Sequence, residues 1–364
     1  MGHMPRPPIV ACLGMAWWKR QRIRVFFQQP HRPKPRFFWR ASRALAYAQA
    51  HKGALAVWAT RVTPLLQQKA QQKGIPLLHI EDGFIRSLGL GSGFLPPCSI
   101  IADTQGAYVD PSQPSDLEKL LNHAHVPPEL RDRTQKLVAT LRRLHISKYA
   151  AGTSPTPHSS RPSQRRHHPI LLVPGQVAGD LSVVRGGGTI TNNLDLLQDV
   201  RRRNPDAWIL YRPHPDVEAG HRPGALSEAV IQRYANEIHR GGTMSQLLEE
   251  IDEVHTLTSL TGFEALLRGK NVTTYGAPFY AGWGLTTHLG PNLPRRQRLL
   301  DRLELAAITL ILYPLYVNPA TERRCEIEEL LSCFNNRTLW KPTIIMRLRE
   351  KQGQIRRTLS RFFA

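Results

Sequence analysis

The sequence predicts an α/β protein of two Rossmann-like domains facing a cleft, and three observations carry that prediction. Short apolar runs alternate with stretches of helical composition over residues 9–145; the pattern breaks at 151–169, "AGTSPTPHSSRPSQRRHHP"; and it restarts with "ILLVPG" at 170–175. Alternation of this kind is what a parallel, helix-covered sheet requires. At 364 residues the chain also exceeds the ~100–200 residues of one typical domain.

Taken in order, "IVACLGM", "GALAVWA" (53–59) and "PLLHI" (76–80) are strands, because each is short, apolar and bounded by polar or turn residues. Between them, 41–51 and 63–73 are rich in Ala, Gln and Leu and long enough for helices. Residues 115–145 read as purely helical. The segment 151–169 is small, basic and Pro-rich without apolar period, which makes it a flexible linker or long surface loop. Strands follow at 170–175, 207–215, 253–258 and 271–276, with helices at 192–204 and 262–269. In the tail 340–364, Ile344, Leu348, Ile355, Leu359 and Phe362 share one helical face among Arg347, Arg349, Lys351, Arg356, Arg357 and Arg361. That is an amphipathic helix suited to an anionic membrane surface, the alternative being a terminal helix docked on the fold. The expected organisation is 5–150, a linker at 151–169, 170–318, and C-terminal helices with a basic amphipathic tail at 319–364.

Hydrophobic and charged contents of 41% and 21% are ordinary for a folded chain, but a net charge of +21 is not. It implies a polyanionic partner, and the absence of any zinc-finger, RNP-like or basic-zipper pattern argues against nucleic acid. Cys12, Cys98, Cys325 and Cys333 form no C-x-x-C pair, so they read as free thiols in a reducing compartment. The apolar run 9–18 is followed, not preceded, by Lys19, Arg20, Arg22 and Arg24, and it is too short to span a bilayer. The opening Met1–Met4 reads as a cloning remnant, and the protein as cytoplasmic.

Four segments can carry chemistry. In "YRPHPDV", His214 stands between Pro213 and Pro215 just after a strand, where it can donate to a phosphate oxygen or protonate a leaving phosphate. In "TSLTGFEALLRGK", Ser259, Thr261 and Gly262 open a helix and suit an anion, while Glu264 is placed either to reach a ribose diol or simply to cap. "VPGQVAGDLS" sets Gln176 and Asp180 in a glycine-bracketed loop, and Asp180 can act there as nucleophile or base. "HIEDGFIRSLGLGSG" ends a strand in Glu81 and Asp82. Its Gly89, Gly91 and Gly93 make G-x-G-x-G running into prolines, so the dinucleotide fingerprint fails and a strand-end carboxylate site remains. The pair divides into one poised base and one structural acceptor, since adjacent like charges raise one pKa. The chain has no D-x-D, Walker A, H-E-x-x-H or G-x-S-x-G motif. A transfer that needs no metal is consistent with this, because His and a helix start can hold a single phosphate.

With "EDGFIRSLGLGS", "VPGQVAGD", "YRPHPDV", "TSLTGFEALLRGK", "TTYGAPFYAGWGLTT" and "LYPLYVNPAT" in this order, residues 9–330 closely resemble the capsule polysaccharide β-Kdo transferases of the KpsC/LipA type. The resemblance implies a GT-B-like glycosyltransferase with an N-terminal acceptor domain and a C-terminal CMP-sugar domain. It implies CMP-β-Kdo as donor, no metal or other cofactor, and a lipid-linked, phosphatidylglycerol-type Kdo acceptor. The implied place is the inner face of the cytoplasmic membrane, reached through the basic tail. Family members with two modules make β-2,4 and β-2,7 linkages; this chain has room for one module, and its motifs resemble the C-terminal, β-2,7 one. The family's retaining reaction implies Asp180 as nucleophile, His214 and Ser259 on the CMP phosphate, Glu264 on the ribose, and Glu81 and Asp82 activating the acceptor. A carboxylate suits the oxocarbenium-like Kdo centre. Lys19, Arg86, Gln176, Arg185 and the pair Arg295–Arg296 are expected near the sugars, with Tyr280 and Trp283 shaping the pocket or packing the loop. His288 departs from the family, which carries an acid there. Two other readings stand beside this one: an inverting, sialyltransferase-like CMP-sugar transferase in which Asp180 is dispensable, and a non-catalytic anion-binding surface protein.

Overall fold

The computed structural model describes residues 7–29, 33–89, 94–148, 150–152 and 168–341, with a few single positions beyond. Gly91 and Gly93, most of the 151–169 segment and most of the basic tail lie outside the described residues, and so do the readings that fall on them. The chain forms two compact units: 1–108, 113–126 and 307–342 make unit 1, while 109–112, 127–306 and 343–364 make unit 2.

Unit 1 holds β1 (Ile9–Leu13), β2 (Arg36–Phe38), β3 (Ala54–Trp58), β4 (Leu77–Asp82) and β5 (Ser99–Asp103). Strands β2, β1, β3 and β4 are parallel neighbours in that order. Successive residues of a strand face opposite sides, and here both sides are apolar. Ala11, Leu13, Leu55 and Val57 pack against Ala44, Leu45, Ala48, Leu66 and Ala70 of the helices Ala41–Ala50 and Pro64–Gln72. Cys12, Ala54, Ala56, Leu78 and Ile80 pack against Ile23, Phe26 and Phe27 of the helix Arg20–Phe27. A sheet buried on both faces explains why these strands read as continuous apolar runs.

Unit 2 is a six-stranded, wholly parallel sheet. Its strands are β6 (Ile170–Pro174), β7 (Trp208–Arg212), β8 (Glu237–Ile238), β9 (Glu253–Thr256), β10 (Asn271–Thr274) and β11 (Thr287–His288), in the order β11-β10-β9-β6-β7-β8. Its core gathers Leu171, Val173, Ile209 and Tyr211 with Leu196, Leu197 and Val200 of the helix Asn193–Arg203.

Three expectations need correction. The sheet of unit 1 is mixed, because β5 runs antiparallel to β4, β12 (Leu315–Asn318) antiparallel to β5, and β13 (Arg323–Cys325) antiparallel to β12. Residues 115–145 are two helices, Asp116–His123 and Pro128–Arg143. Pro127 and Pro128 interrupt the run, since a proline lacks the N–H a helix interior needs and fits its first turn. The units also exchange chain near 126 and 306, not at the composition break, since β12 and β13 return to complete the first sheet.

Candidate active site

Unit 2 carries the first cluster. In its sheet β6 has β7 on one side and β9 on the other, so the loops leaving β6 and β9 depart in opposite directions. Ligands of open α/β sheets bind outside the carboxyl ends of the strands at such a switch point. The loop after β6 brings Gln176 and Asp180 there; the loop after β9 brings Thr258 and Ser259; the turn after β7 brings His214.

Asp180 is the N-cap of the short helix Leu181–Gly186, and its Oδ1 accepts from the Ser182 N–H and the Ser182 hydroxyl, both at 3.1 Å. Its Oδ2 lies 4.0 Å from the Arg222 guanidinium, and the side chain is 42% exposed. One oxygen is thus used to orient the carboxylate, while the other faces the Arg222 guanidinium. The Ser182 hydroxyl accepts in turn from Thr258. Gln176 receives the Thr258 N–H at 2.9 Å, donates to the Thr258 hydroxyl at 2.9 Å, and has its backbone held by Asn193. Gln176 therefore ties the β6 and β9 loops together.

His214 caps the short helix Pro215–Glu218, its Nδ1 accepting the Asp216 N–H at 3.1 Å. That bond places the proton on Nε2, so the ring presents an N–H donor while neutral. Burial is the main cause that pulls the His214 pKa down; Asp216 and Asp180 oppose it, and Lys148 and Arg222 add to it. The charges of Asp180, Lys148 and Arg222 therefore all act on His214.

Ser259 caps the helix Leu260–Leu266, its hydroxyl accepting the Thr261 N–H at 3.2 Å and donating to the Thr261 hydroxyl at 3.1 Å. Gly262 is required by packing, since a Cβ there would collide with the Tyr280 hydroxyl. Tyr280 and Trp283 are fully buried, the Tyr280 hydroxyl donating to the Ser259 carbonyl and the Trp283 indole to the Phe279 carbonyl. Both rings are packed within the loop, and Tyr280 braces Ser259 from behind.

Glu264 also turns inward. It is 7% exposed, and its Oε1 accepts the Lys148 N–H at 2.9 Å. Burial raises its pKa, and Arg268 and Lys148 oppose the rise. Arg268 donates to the carbonyls of Glu264 and Ile146. Glu264 thus ties residue 148 to the helix Leu260–Leu266, and the Lys148 charge acts on His214. Arg185 is exposed and 3.7 Å from Asp110, which leaves it able to turn to a ligand. Arg295 donates to the Pro111 carbonyl, and Arg296 to those of Pro278 and Ala281, so both fasten loops. His288 bridges the Thr274 hydroxyl at 2.9 Å and the Pro291 carbonyl at 2.7 Å, a structural use for the residue that departs from the family.

Unit 1 carries the second cluster at the C-terminal end of β4. Asp82 is 2.9 Å from the Arg86 Nε and 3.4 Å from the Lys19 ammonium. Arg86 is fully buried and its remaining nitrogens donate to Ser87 and to the Leu95 carbonyl, both at 2.8 Å, so it is a support for Asp82 and has no fork to offer a sugar. Lys19 is 8% exposed and sits 3.4 Å from the centroid of the Trp58 ring, a cation–π contact. Burial lowers the Lys19 pKa, and Asp82 opposes it most strongly. Glu81 accepts the Asp82 N–H at 3.1 Å. The two carboxylates are held differently: Asp82 is ion-paired with Arg86 and Lys19, and Glu81 accepts the Asp82 N–H.

The structure brings Asp180, His214 and Ser259 to one switch point, and Lys19, Glu81, Asp82 and Arg86 to one strand end. Lys148, Ser182, Arg222 and Thr258 join the first cluster without having been read from the sequence. Ser182 was within reach, as a hydroxyl two residues past Asp180 in the same quoted motif; Lys148 and Arg222 lie in segments with no motif. Among the described residues no group of three or more His, Cys, Asp or Glu side chains is arranged to hold a metal ion.

Comparison with known proteins follows the same lines. Residues 54–318 match the family described as capsule polysaccharide biosynthesis protein. The capsule polysaccharide modification protein LipA of Neisseria meningitidis serogroup A is 42% identical over 317 residues, covering 87% of this chain and 44% of LipA, so the chain spans less than half of that relative. Two structures of Thermosulfurimonas dismutans KpsC are similar throughout. The one described as a beta Kdo 2,4 transferase has a TM-score of 0.75 at 32% identity, over 92% of this chain and 98% of its own. The one described as a beta Kdo 2,7 transferase has a TM-score of 0.70 at 32% identity, over 91% and 99%. This chain has the α/β fold of those transferases, and it belongs to the capsule polysaccharide biosynthesis protein family, in its KpsC/LipA branch.

Proposed function

We propose that this chain is a retaining glycosyltransferase that moves Kdo from CMP-β-Kdo to a Kdo-terminated, lipid-linked acceptor in capsule polysaccharide biosynthesis. The observation that carries the reading is Asp180 at the switch point of the parallel sheet, with one oxygen tied to Ser182 and His214 close by. The names of the KpsC relatives supply the sugar.

In this reading the Asp180 Oδ2 attacks the Kdo anomeric carbon, the bond to the CMP phosphate breaks, and CMP leaves with the electron pair. The His214 Nε2–H donates to the departing phosphate oxygen, and the Lys148 and Arg222 cations stabilise the charge that develops there. The acceptor hydroxyl then displaces Asp180 from the Kdo anomeric carbon, its proton passing to a base, a role that the family resemblance assigns to the Glu81–Asp82 pair; the Asp180 carboxylate is released and the starting configuration restored. No step calls on a metal or a cofactor. The linkage assigned from the motifs is β-2,7; equal identity to both KpsC structures lends it no advantage over β-2,4.

The test is incubation with CMP-β-Kdo and a soluble Kdo-terminated acceptor. Wild type is expected to give product, and NMR of the product reads the linkage. Asp180→Ala is expected to lose transfer by at least ~10³-fold, in keeping with losses on removing a catalytic nucleophile. In intact-mass spectra a wild-type Kdo adduct is expected on Asp180. A fully active Asp180→Ala would favour the inverting reading instead.

A further inference from the structure

Residues 1–80 contain 14 Lys and Arg and no Asp or Glu, so two-thirds of the net charge of +21 arises from that stretch alone. In unit 1 this charge gathers with exposed aromatic rings. Strands β1 and β2 are parallel with Leu13 opposite Phe38, so the segments leaving them emerge at one edge of the sheet. Trp17 follows β1 and is 55% exposed; Trp39 follows β2 and is 72% exposed. The Arg20 guanidinium lies 4.5 Å from the Trp39 ring and 5.6 Å from Phe37, and Arg24, one helical turn on, lies 5.1 Å from Phe37. Arg24, Arg36, Arg40 and Arg43 are all exposed. Trp17 rests against Phe94 at 6.0 Å. An acidic group does touch this helix, Glu322, which accepts from Gln21.

Exposed indoles ringed by arginines match the headgroup level of a bilayer, where the ring sits among acyl and polar groups and guanidinium meets phosphate. A single-stranded nucleic acid would need open ring faces for stacking. Here Arg20 covers Trp39, Arg20 and Arg24 cover Phe37, and Phe94 stands against Trp17. We propose that unit 1 docks on an anionic phospholipid bilayer through Trp17 and Trp39 with Arg20, Arg24, Arg36 and Arg40. The edge that docks is the C-terminal edge of the sheet, which also carries Glu81 and Asp82 at the end of β4. The inference deepens the proposed function and rests on it for the lipid-linked acceptor; the binding itself does not.

The full chain is floated with vesicles of phosphatidylcholine alone and of phosphatidylcholine with one-quarter phosphatidylglycerol, with no donor present. Wild type is expected to partition to the anionic vesicles at least tenfold more strongly. Trp17→Ala with Trp39→Ala is expected to lose about tenfold, with an unchanged melting curve and unchanged transfer to a soluble acceptor. Arg24→Gln, Arg36→Gln and Arg40→Gln together are expected to lose about a hundredfold, near fivefold for each. Wild-type partitioning by both variants would overturn the inference. So would loss of binding only when Arg356, Arg357 and Arg361 are neutralised, no vesicle binding by wild type, or tighter binding to single-stranded DNA than to the anionic vesicles. Vesicle binding without any transfer would count against the proposed reaction and leave the docking surface standing.

Discussion

Asp82 and Glu81 are adjacent in sequence, and Asp82 is ion-paired with two cations at the end of its strand. Arg86 and Lys19 hold Asp82 at 2.9 and 3.4 Å. Glu81→Gln is expected to lower kcat by about 10²–10⁴-fold, the usual contribution of a general base, and to remove the acid limb of the pH–rate profile. Asp82→Asn is expected to act chiefly on the fold, because it leaves Arg86 buried without its anion, a loss of about 3–5 kcal/mol readable in a denaturant titration. Residue type told where carboxylates and a histidine could meet a ligand, since strand-end and loop positions are visible in the apolar pattern. It did not tell where polar atoms are spent. Gln176 and Tyr280 also fasten loops, ties that a string of letters hides because their partners lie 82 and 21 residues away.

At the scale of elements, the segment 146–148 is held to the helix Leu260–Leu266 by one carboxylate. Glu264→Gln keeps an oxygen for the Lys148 N–H and is expected to bind CMP within about threefold of wild type by calorimetry. Glu264→Ala leaves that amide without its partner, and the release of Lys148 is expected to weaken CMP by about tenfold, one hydrogen bond to a charged group. A loss in the Gln variant as large as in the Ala variant would return Glu264 to the ribose. The elements themselves were legible where burial on both faces makes a strand uniformly apolar, as in β1, β3, β4, β6 and β7. Strand β5 escaped because "SIIAD" is short and follows "LPPC", and β13 because it is a three-residue edge strand with Arg323 and Arg324 exposed. The proline pair at 127–128 was visible but was overridden by the helical composition on either side.

For the molecule as a whole, pH is the accessible variable. Burial lowers the pKa of His214, and also of His239, below the ordinary value of 6.5. Between that value and the folded pKa, the unfolded chain binds more protons than the folded one. Their contribution to stability is thus full above about pH 6.5 and is lost as pH falls through the folded values. The melting temperature is expected to drop on acidification from pH 7 to pH 5, and His214→Gln to flatten part of that slope, with His239 supplying another part. The same change lowers transfer, because a doubly protonated His214 cannot accept the Asp216 N–H that aims its ring.

The return of β12 and β13 to the first sheet has a consequence for synthesis. A chain emerging from the ribosome presents β1 to β5 early, yet the strand that covers the free edge of β5 arrives only after residue 314, when unit 2 has wholly emerged. Until then unit 1 offers an open ladder of N–H and C=O groups, the kind of edge that recruits other chains. Unit 2 has no such debt, since every strand of its sheet lies between 170 and 288. The order of completion is then the reverse of the order of emergence, and a nascent chain stalled near residue 300 would be the species that chaperones meet.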